Sequence, residues 1–552
     1  MPTLDFKGKQ FVYAHHLTVP FQQLTVDAGK SAPAKGAKPG LEDNLIIHGD
    51  NLHALKALLP KYAGRIKCIY IDPPYNTGTE GWCYNDKVNS PLMQEWLKKE
   101  ANPVDKEDLE RHDKWLAMMW PRLQLLRELL ADDGAIFISI DNNEQHLLRV
   151  VASEIFGESN FVGTFIWRKK EGGGQATDYF VTEHEYIHVW RKTDLFVWKD
   201  EEISFDEGDF KKTDSLGKYK LVKLAKWGNT ARREDRPKMY FSIKDPDGKN
   251  CFPIAPDGGD GRWRVGKKRM DELLENNLVE FEKREGIWVP YEKIYFDSED
   301  TKSIKERSII FDLYFTGDGT NALTQIFGKK DVLENPKPYE LIRIFLEHCS
   351  SDNDIILDSF AGSGTTAHAV LALNKEDGGN RKFILVECED YADKVTAERV
   401  RRVIKGVPGS KDAALKDGLG GSFTYCELGD DISIENLLKG NNLPSFDELA
   451  AYAFYTATGQ TLAKVQHGVD YLIGETDKYR VHLVYKPDLA FMRGNESALN
   501  MPLAKSIAKA REDSKKTALV FASQKFMGQK ELTEMGIVFC QLPYALHRIV
   551  GA

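Results

Sequence analysis

The stretch IILDSFAGSGTT, residues 355–366, decides the fold class of this 552-residue chain. Its first three residues are apolar and predict a buried strand, and an apolar pattern with helical spacing begins at its end. The two glycines allow a sharp turn that can approach a ligand closely, and the first amides of the helix offer unpaired donors. The alternative is a tight turn that binds nothing. If the turn binds a ligand, the candidate residues are Asp358, Phe360, Ala361, Gly362, Gly364 and Thr365.

Strands and helices alternate on both sides of this stretch. A helix is predicted over 339–348 before it, and a helix over 366–373 and a strand over 383–386 after it. Glu387 ends that strand, where the ribose hydroxyls of a nucleotide lie in folds of this kind. A second group, nearer the N-terminus, has strands over 45–50, 66–71 and 135–140 and helices over 51–59 and 115–130. Together the groups predict one parallel, helix-covered α/β sheet that is interrupted in sequence.

The second motif, Asp72-Pro73-Pro74-Tyr75, directly follows the predicted strand 66–71. Open α/β sheets place their active sites at such carboxyl ends of strands. The prolines fix φ and remove two amide donors, which is expected to leave backbone carbonyls unpaired. A carboxylate and a rigid carbonyl can accept both hydrogens of an exocyclic amino group, while the aromatic ring stacks on the heterocycle. A proline-rich turn without chemistry is the alternative.

Charge is distributed unevenly along the chain. The net charge of −9 by itself disfavours a polyanionic partner. Between Lys211 and Met270, however, there are 17 Lys and Arg residues against 7 Asp and Glu residues, with aromatic residues interleaved. This composition suits contact with phosphates and bases, and a solvated charged face is the alternative. If this segment binds a nucleic acid, the candidate contact residues are Lys226, Arg232, Arg233, Arg262, Arg264, Lys267 and Lys268.

The order of these segments resembles that of the β-class DNA adenine-N6 methyltransferases, which use S-adenosylmethionine. In that class the DPPY motif comes first, a target-recognition domain follows and the FxGxG motif comes last, as here at 72–75 and 360–364. The likeness extends from Asn44 to about Gly406 and includes GDNLxAL at 49–55 and NPKPxxLI at 335–342. It is greatest to the Mod subunits of type III restriction-modification systems.

This resemblance implies a role for each motif residue. The glycine-rich turn would line the methionine end of S-adenosylmethionine, Glu387 would hold its ribose, and Lys337 would lie near its carboxylate. Asp50 would face the cofactor's adenine, with Asn51 also among the cofactor-binding residues. The flipped target adenine would be received by Asp72, Pro73, Pro74 and Tyr75, with Trp167 as a candidate second wall in contact with DNA. No metal is required by this chemistry.

The resemblance also implies the domain organisation and the partners. The fold would be a Rossmann-like methyltransferase sheet with a circularly permuted motif order. We expect an N-terminal arm over 1–40, a catalytic domain over 41–200 and 331–408, a target-recognition insert over 201–330, and a C-terminal α/β or α+β domain over 409–552. The implied partners are double-stranded DNA, a restriction (Res) helicase-nuclease subunit and a second copy of the chain, for which the C-terminal domain is the expected contact.

Two further features concern location and mobility. The sequence contains no apolar run long enough to span a membrane and no signal-peptide pattern, so we expect a cytoplasmic protein without membrane contact. The segment Gly29–Gly40 is expected to be a mobile loop or linker.

Other activities remain as alternatives. Cytosine-N4 methylation uses the same kind of amino group, although within the family Asp rather than Ser at position 72 favours adenine. A solitary methyltransferase, an RNA or protein methyltransferase, and a DNA-binding module with an inactive methyltransferase fold are also considered. The segment His184-Glu185-Tyr186-Ile187-His188 matches the zinc motif H-E-x-x-H, but its composition predicts a strand, in which the histidines lie about 13 Å apart and cannot share one ion.

Overall fold

The computed structural model describes residues 3–77, 111–170, 172, 179–228, 230–297, 301–311, 313–432, 443–511 and 514–542. The chain divides into two compact units, one made of Met1–Lys199 and Arg307–Ala552 and the other of Asp200–Glu306. The second unit is therefore an insertion in the sequence of the first.

The N-terminal part of the first unit contains short helices and an edge strand, followed by alternating strands and helices. Its elements are α1 (Lys9–Val12), α2 (His15–Thr18), β1 (Gln22–Ala32), β2 (Leu45–His48), α3 (Asn51–Tyr62), β3 (Ile66–Ile71), α4 (Arg111–Leu129), β4 (Leu130–Ile140), α5 (Gln145–Phe156), β5 (Phe161–Arg168) and β6 (His184–Arg191). Asp50 caps α3, because its side chain accepts a hydrogen bond from the Leu52 amide.

The inserted unit is built mainly from short antiparallel strands. Its elements are β7 (Glu201–Ser204), β8 (Lys212–Asp214), β9 (Gly217–Lys223), β10 (Ile243–Lys244), β11 (Asn250–Cys251), α6 (Lys267–Glu275), β12 (Val279–Arg284), β13 (Ile287–Tyr295) and β14 (Thr301–Ile304). The order β12-β13-β9-β8 forms a four-stranded sheet, and Leu224, Trp263 and Met270 belong to a small core.

After the insertion the chain returns to the first unit. The returning elements are β15 (Ile309–Ile310), α7 (Thr316–Phe327), α8 (Tyr339–Cys349), β16 (Ile355–Asp358), α9 (Thr365–Asp377), β17 (Lys382–Glu387), α10 (Glu398–Lys405), α11 (Ala413–Asp417) and β18 (Phe423–Asp431). A π-helical turn over Ala392–Ala397 leads directly into α10.

Ten strands form one sheet, in the order β1-β18-β2-β17-β16-β3-β4-β6-β5-β15. The strands from β18 to β4 are parallel, whereas β6 runs antiparallel between β4 and β5. Helices α3, α4 and α5 bury their apolar side chains on one face of the sheet, and α8, α9 and α10 on the other. This confirms the expected Rossmann-like α/β fold, whose two sequence halves alternate within one sheet.

The remaining elements form a smaller α/β layer at the C-terminal end. They are α12 (Phe446–Thr458), β19 (Leu472–Glu475), β20 (Tyr479–Leu483), α13 (Leu489–Arg493), α14 (Met501–Arg511), β21 (Thr517–Ala522), α15 (Gln529–Glu534) and β22 (Ile537–Gln541). Ser445 and Glu448 form a capping box at the start of α12. Within the described ranges, no helix has both the length and the apolarity needed to cross a bilayer.

Segment boundaries differ from the sequence expectations in three places. The predicted start of the loop Gly29–Gly40 is wrong, because β1 continues to Ala32 and pairs there with β18. Local patterns could not reveal this pairing, since its partner lies near the other end of the sequence. β18 joins the central sheet although it falls in the expected domain 409–552, and β15 and α7 lie in the first unit although they fall in the expected insert 201–330.

Candidate active site

The carboxyl ends of four neighbouring strands bring the two motifs together. β16 ends at Asp358 and pairs in parallel with β3, which Asp72 follows. On the other side β17 ends at Glu387, whose carbonyl accepts a 2.9 Å hydrogen bond from the Gly49 amide after β2. Burial raises the pKa of Asp358 to about 7, and Asp72 and Glu387 add to this rise. The three carboxylates are therefore electrostatic neighbours at one sheet edge.

Asp358 holds the glycine-rich turn in shape. Its Oδ1 accepts a 3.0 Å hydrogen bond from the Phe360 amide, and its Oδ2 accepts one of 2.5 Å from the Thr366 hydroxyl. Its side chain is buried. Both oxygens accept hydrogen bonds from residues of the turn, so Asp358 supports its shape. Its expected contact with the cofactor stays a prediction.

The backbone of the turn requires glycine at two positions. Gly362 has a φ of 50° and Gly364 a φ of 78°, both in the left-handed region. A Cβ at position 364 would lie 3.1 Å from the Thr396 carbonyl oxygen, whereas at position 362 the nearest atoms, in Leu333 and Phe360, are 3.9 and 4.0 Å away. The turn is therefore closed behind Gly364 and open beside Gly362, where a ligand can reach the backbone.

Glu387 lies beside this opening. Its Oε2 accepts a 2.7 Å hydrogen bond from the Gly362 amide, and its Oε1 accepts one of 3.0 Å from the Glu389 amide. Burial raises the pKa of Glu387. Backbone hydrogen bonds from Glu389, Gly362 and Cys388 oppose this rise. A carboxylate offers about four lone-pair sites, so Glu387 can still accept a hydroxyl hydrogen, as the expected ribose contact requires.

Asp50 and Asn51 connect the start of α3 to the same edge. Asp50 Oδ1 lies 3.2 Å from a guanidinium nitrogen of buried Arg122. The Asn51 amide nitrogen donates a 2.8 Å hydrogen bond to the Ser359 carbonyl, and this side chain is almost fully buried. Asn51 therefore anchors the cofactor turn, and Asp50 is the more exposed of the two.

A buried arginine that sequence analysis did not single out lies behind the turn. Arg399 Nη1 donates 2.8 Å hydrogen bonds to the hydroxyls of both Ser363 and Thr365. Its Nη2 lies 3.2 Å from His368 Nδ1, and its buried Nε has no hydrogen-bond partner among the residues that the structure describes. Burial lowers the pKa of Arg399 to about 10. No carboxylate of the described part of the chain forms an ion pair with it, so Arg399 adds positive charge at the start of α9.

At the DPPY motif, both carboxylate oxygens of Asp72 are engaged. Oδ1 accepts a 2.6 Å hydrogen bond from the Tyr75 hydroxyl, and Oδ2 accepts one of 2.7 Å from the Lys337 ammonium. Lys337 also donates to the Tyr75 hydroxyl over 2.8 Å. Burial alone would lower the pKa of Lys337, but Asp72 and Glu185 outweigh burial and raise it. Lys337 therefore contacts the catalytic motif, and its expected place near the methionine carboxylate stays a prediction.

The two proline carbonyls differ from each other. The indole nitrogen of Trp115 in α4 donates a 2.7 Å hydrogen bond to the Pro74 carbonyl. The expectation of unpaired carbonyls is therefore wrong for Pro74. Among the residues that the structure describes, none donates to the Pro73 carbonyl, so Asp72 and Pro73 remain as acceptors for an amino group.

Glu185 and Lys169 extend the charge network beneath the motif. Glu185 Oε1 accepts a 2.9 Å hydrogen bond from Lys169, and Oε2 lies 3.1 Å from the Tyr75 hydroxyl and 3.4 Å from Lys337 Nζ. Burial alone would raise the pKa of Glu185, but Lys337 and Lys169 lower it overall. Because β6 runs antiparallel to β4, its N-terminal end, which carries Glu185, reaches the edge where the parallel strands end.

In the sequence, Glu185 stands out only as part of the H-E-x-x-H pattern. That segment lies on strand β6, as predicted. His184 Nε2 lies 3.0 Å from the Tyr186 hydroxyl and His188 Nδ1 2.9 Å from the Thr164 hydroxyl, so the histidines have separate partners. In the ranges that the structure describes, no group of three or more His, Cys, Asp and Glu side chains is arranged to hold a metal ion.

Trp167 lies in the interior close to the same network. Its indole nitrogen donates a 2.5 Å hydrogen bond to the Tyr314 carbonyl, and its side chain is buried. The Lys337 ammonium is 5.9 Å from the ring centroid. The ring therefore packs beside Lys337 in the interior. The expected role of Trp167 as a second wall of the base pocket, in contact with DNA, stays a prediction.

Two of the candidate DNA-binding arginines stabilise the inserted unit itself. Arg262 is buried, and its guanidinium donates to the Thr230 carbonyl. Arg264 donates a 3.2 Å hydrogen bond to the Lys223 carbonyl and lies 3.4 Å from a Glu292 carboxylate oxygen. Both side chains are therefore bound to residues of the inserted unit. This position differs from the base-reading role expected for Arg262 and Arg264.

The other candidates in the inserted unit are accessible. Arg232, Arg233, Lys267 and Lys268 are exposed, and Lys226 is half-buried. Trp227 is 58% exposed, with the Lys223 ammonium 4.6 Å from its ring, and the Arg233 guanidinium lies 4.3 Å from the Tyr240 ring. This unit therefore presents cations together with aromatic rings at its surface.

The residues at the sheet edge fit a nucleoside cofactor that carries an amino-acid group. The open turn at Gly362 and the acceptor capacity that remains on Glu387 suit a ribose, and the positive start of α9 suits a carboxylate. Asp72 and Pro73 lie on the adjoining strand as acceptors for an amino group. The fold and this site define an α/β methyltransferase that uses S-adenosylmethionine and acts on an amino nitrogen.

Comparisons with known proteins place the chain in a family of this class. Residues 66–398 match the family model described as DNA methylase, N6_N4_Mtase. The chain is 32% identical over 450 residues to the Mod subunit of the type III restriction-modification enzyme EcoPI of Escherichia phage P1. The aligned region covers 73% of this chain and 68% of that protein.

Two further relatives are similar over comparable lengths. The Mod subunit of the type III enzyme StyLTI of Salmonella typhimurium is 30% identical, over 74% of this chain and 65% of that protein. The type II methyltransferase M.KpnI of Klebsiella pneumoniae is 33% identical, over 62% of this chain and 80% of that protein. The chain belongs to the DNA methylase family, and it is a DNA methyltransferase with S-adenosylmethionine as its methyl donor.

Proposed function

We propose that the protein methylates the N6 amino group of adenine at specific sites in double-stranded DNA, as the modification subunit of a restriction-modification system. The observation that carries this proposal is the position of Asp72, at the end of β3 beside the cofactor turn of β16. The relatives that are named Mod subunits of type III enzymes support the assignment to a restriction-modification system.

The residues around the DPPY motif have defined roles in this proposal. Asp72 accepts one hydrogen of the amino group and the Pro73 carbonyl the other, which directs the nitrogen lone pair towards the methyl group. Bound S-adenosylmethionine supplies that methyl group in an electrophilic form, on a positively charged sulfur. Asp72 also stabilises the positive charge that develops on the nitrogen, and Tyr75 stacks on the flipped base.

The residues of the turn would hold the cofactor in register with this acceptor pair. Glu387 would bind the ribose hydroxyls, and the backbone at Gly362 would lie against the ligand. Asn51 and Asp358 keep the turn in place through their hydrogen bonds. Positioning two reactants on adjoining strands in this way is a large source of rate enhancement.

We also propose that the inserted unit reads the DNA sequence. Its exposed cations at 232, 233, 267 and 268 can contact phosphates or base edges, and exposed Trp227 can stack or insert between bases. Arg262 and Arg264 would support this surface from within the unit. A restriction subunit and a second copy of the chain are proposed as partners, and light scattering of the purified protein with and without a co-expressed restriction subunit tests both.

The test of the proposed function is incubation of the purified protein with labelled S-adenosylmethionine and unmethylated plasmid, followed by nucleoside analysis. Label in N6-methyladenine is the expected result. Label in N4-methylcytosine would assign the alternative base, and label only in added RNA or protein would overturn DNA as the substrate. Methylome sequencing of a host with and without the protein would then give the recognition site.

A further inference from the structure

We propose that Glu185 is a positioning residue of the methyl-transfer site: it takes over the Tyr75 hydroxyl hydrogen bond when Asp72 turns to the amino group of the target base. This inference deepens the proposed function and rests on it. It gives a role to the one residue of the H-E-x-x-H segment that reaches the active site.

The Tyr75 hydroxyl has a single hydrogen to donate. Two carboxylates lie within its reach, Asp72 Oδ1 at 2.6 Å and Glu185 Oε2 at 3.1 Å. A phenol donates one hydrogen bond at a time, so the two carboxylates are alternative acceptors. Once an amino group donates to Asp72, the hydroxyl can turn to Glu185 and remain satisfied. Without Glu185, the buried hydroxyl would keep its hydrogen bond to Asp72 and compete with the base for that carboxylate.

The Lys337 ammonium lies close to both carboxylates. It is bound to Asp72 Oδ2 at 2.7 Å and also lies 3.4 Å from Glu185. A carboxylate that is fully engaged by an ammonium is a weaker acceptor for a neutral amino group. Glu185 offers Lys337 a second anion at nearly the same place, so that Lys337 can shift its hydrogen bond and release an Asp72 oxygen for the base.

Glu185 is less exposed than Asp72 and is paired with a second cation. The side chains of Glu185 and Lys337 are each 9% exposed and that of Asp72 is 26% exposed, so Asp72 faces the substrate side and Glu185 lies beneath it. Lys169 holds the other oxygen of Glu185 at 2.9 Å. The network thus contains two cations and two carboxylates, and Glu185 supplies the negative charge that does not contact the base.

The matched experiment compares Glu185→Gln with Glu183→Gln in the plasmid methylation assay. Glu183 lies two positions earlier, and its only ion pair among the described residues is with Arg168, outside the network. We expect Glu185→Gln to lower kcat about ten- to a hundredfold, because the acceptor for Tyr75 and Lys337 is weakened. KM for plasmid, the affinity for S-adenosylmethionine measured by calorimetry and the melting temperature should stay near wild type, and Glu183→Gln should match wild type in all four.

A double variant separates positioning from a structural effect. If Glu185 acts through the Tyr75 hydroxyl, the kcat losses of Glu185→Gln and Tyr75→Phe should combine to less than their product in the double variant. If Glu185→Gln does not fold, Glu185→Asp is the alternative variant, because it keeps the negative charge but moves the carboxylate away from Tyr75 and Lys337. We expect the same loss of kcat and an unchanged cofactor affinity for Glu185→Asp.

The outcomes for the inference and for the proposed function are distinguishable. Wild-type protein that does not methylate DNA adenine contradicts the proposed function. Wild-type protein that does so, together with a Glu185→Gln variant of unchanged kcat, overturns the role of Glu185. The role of Glu185 is also overturned if the kcat loss of the double variant equals the product of the two single losses. A fall in cofactor affinity and melting temperature that parallels the fall in kcat overturns this role too.

Discussion

Lys337 and Asp72 form a 2.7 Å ion pair across 265 positions of the sequence. One partner follows a strand of the N-terminal half of the sheet, and the other precedes α8 in the half that returns after the insertion. The pair therefore forms only when both halves have assembled, and it couples the catalytic motif to the segment that leads into the cofactor turn.

The first prediction concerns Asp72 itself. Asp72→Ala removes the acceptor of the amino group, so methyl transfer to plasmid should fall about a hundredfold or more. The cofactor turn is held by Asp358 and Asn51, which do not contact Asp72, so calorimetry should show nearly unchanged affinity for S-adenosylmethionine. Turnover like that of wild type would contradict the assigned role.

The strand-end position of both motifs could be predicted from the sequence. The apolar runs before Asp72 and Asp358 predict the two strands, and their alternation with helices predicts a parallel sheet. In a parallel sheet the carboxyl ends of the strands meet at one edge. The H-E-x-x-H segment was correctly predicted as a strand from its β-branched and aromatic residues. These features are local, and a single sequence contains them.

The long-range contacts could not be predicted in the same way. Lys337 contacts Asp72, and Glu185 contacts Tyr75, only because of the strand order and the antiparallel direction of β6. The indole of Trp115 pairs the Pro74 carbonyl for the same reason, since no local rule places α4 against the motif. The basic composition of the insert also predicted an accessible Arg262, whereas the side chain of Arg262 is buried.

The second prediction concerns the charge of Lys337. Lys337→Met removes one of the two cations that lower the pKa of Glu185, so this pKa should rise in the variant. Glu185 would then be protonated at a higher pH than in wild type, and kcat should be reduced most on the acidic side and recover in part as pH rises. A pH–rate profile checks this, with exposed Lys330→Met as the control. A uniform loss at all pH values would contradict the electrostatic role.

The third prediction compares two glycines with similar backbone angles. Gly364 and Gly378 have φ values of 78° and 74°, but a Cβ would lie 3.1 Å from the Thr396 carbonyl oxygen at the first and meets nothing within 4 Å at the second. Both alanine variants should be destabilised by about 1 kcal/mol from backbone strain. Only Gly364→Ala should also weaken binding of S-adenosylmethionine, which calorimetry measures. Equal affinities of the two variants would show that the turn does not bind the cofactor.

The fourth prediction concerns the stability contributed by Asp358. Burial raises its pKa from 3.8 to about 7, so the folded protein binds this proton more tightly than the unfolded chain does. The contribution of Asp358 to the free energy of unfolding must then fall as pH rises between these two pKa values. The Asp358→Asn variant has no titratable group at this position, so it lacks this pH dependence. Relative to wild type, the variant should gain roughly 1 kcal/mol for each pH unit between about 5 and 7. Melting temperatures of both proteins at several pH values test this, and a constant difference would contradict it.

The fifth prediction concerns Arg399, a buried cation without a carboxylate partner in the described ranges. Burying an uncompensated charge costs stability, so Arg399→Met, which fills a similar volume, should melt near or above wild type. The same change releases the hydroxyls of Ser363 and Thr365 and removes positive charge from the start of α9. It should therefore weaken binding of ligands that carry the methionine carboxylate.

Two ligands isolate this effect of Arg399. S-adenosylhomocysteine carries the carboxylate, and 5′-methylthioadenosine shares its nucleoside and thioether but lacks the amino-acid group. Arg399→Met should lose about tenfold in affinity for the first, equal to about 1.4 kcal/mol, and little for the second. Equal losses for both ligands would mean that Arg399 only shapes the turn. Unchanged affinity with a strongly lowered melting temperature would mean that its hydrogen bonds to Ser363 and Thr365 outweigh the cost of its burial and serve folding alone.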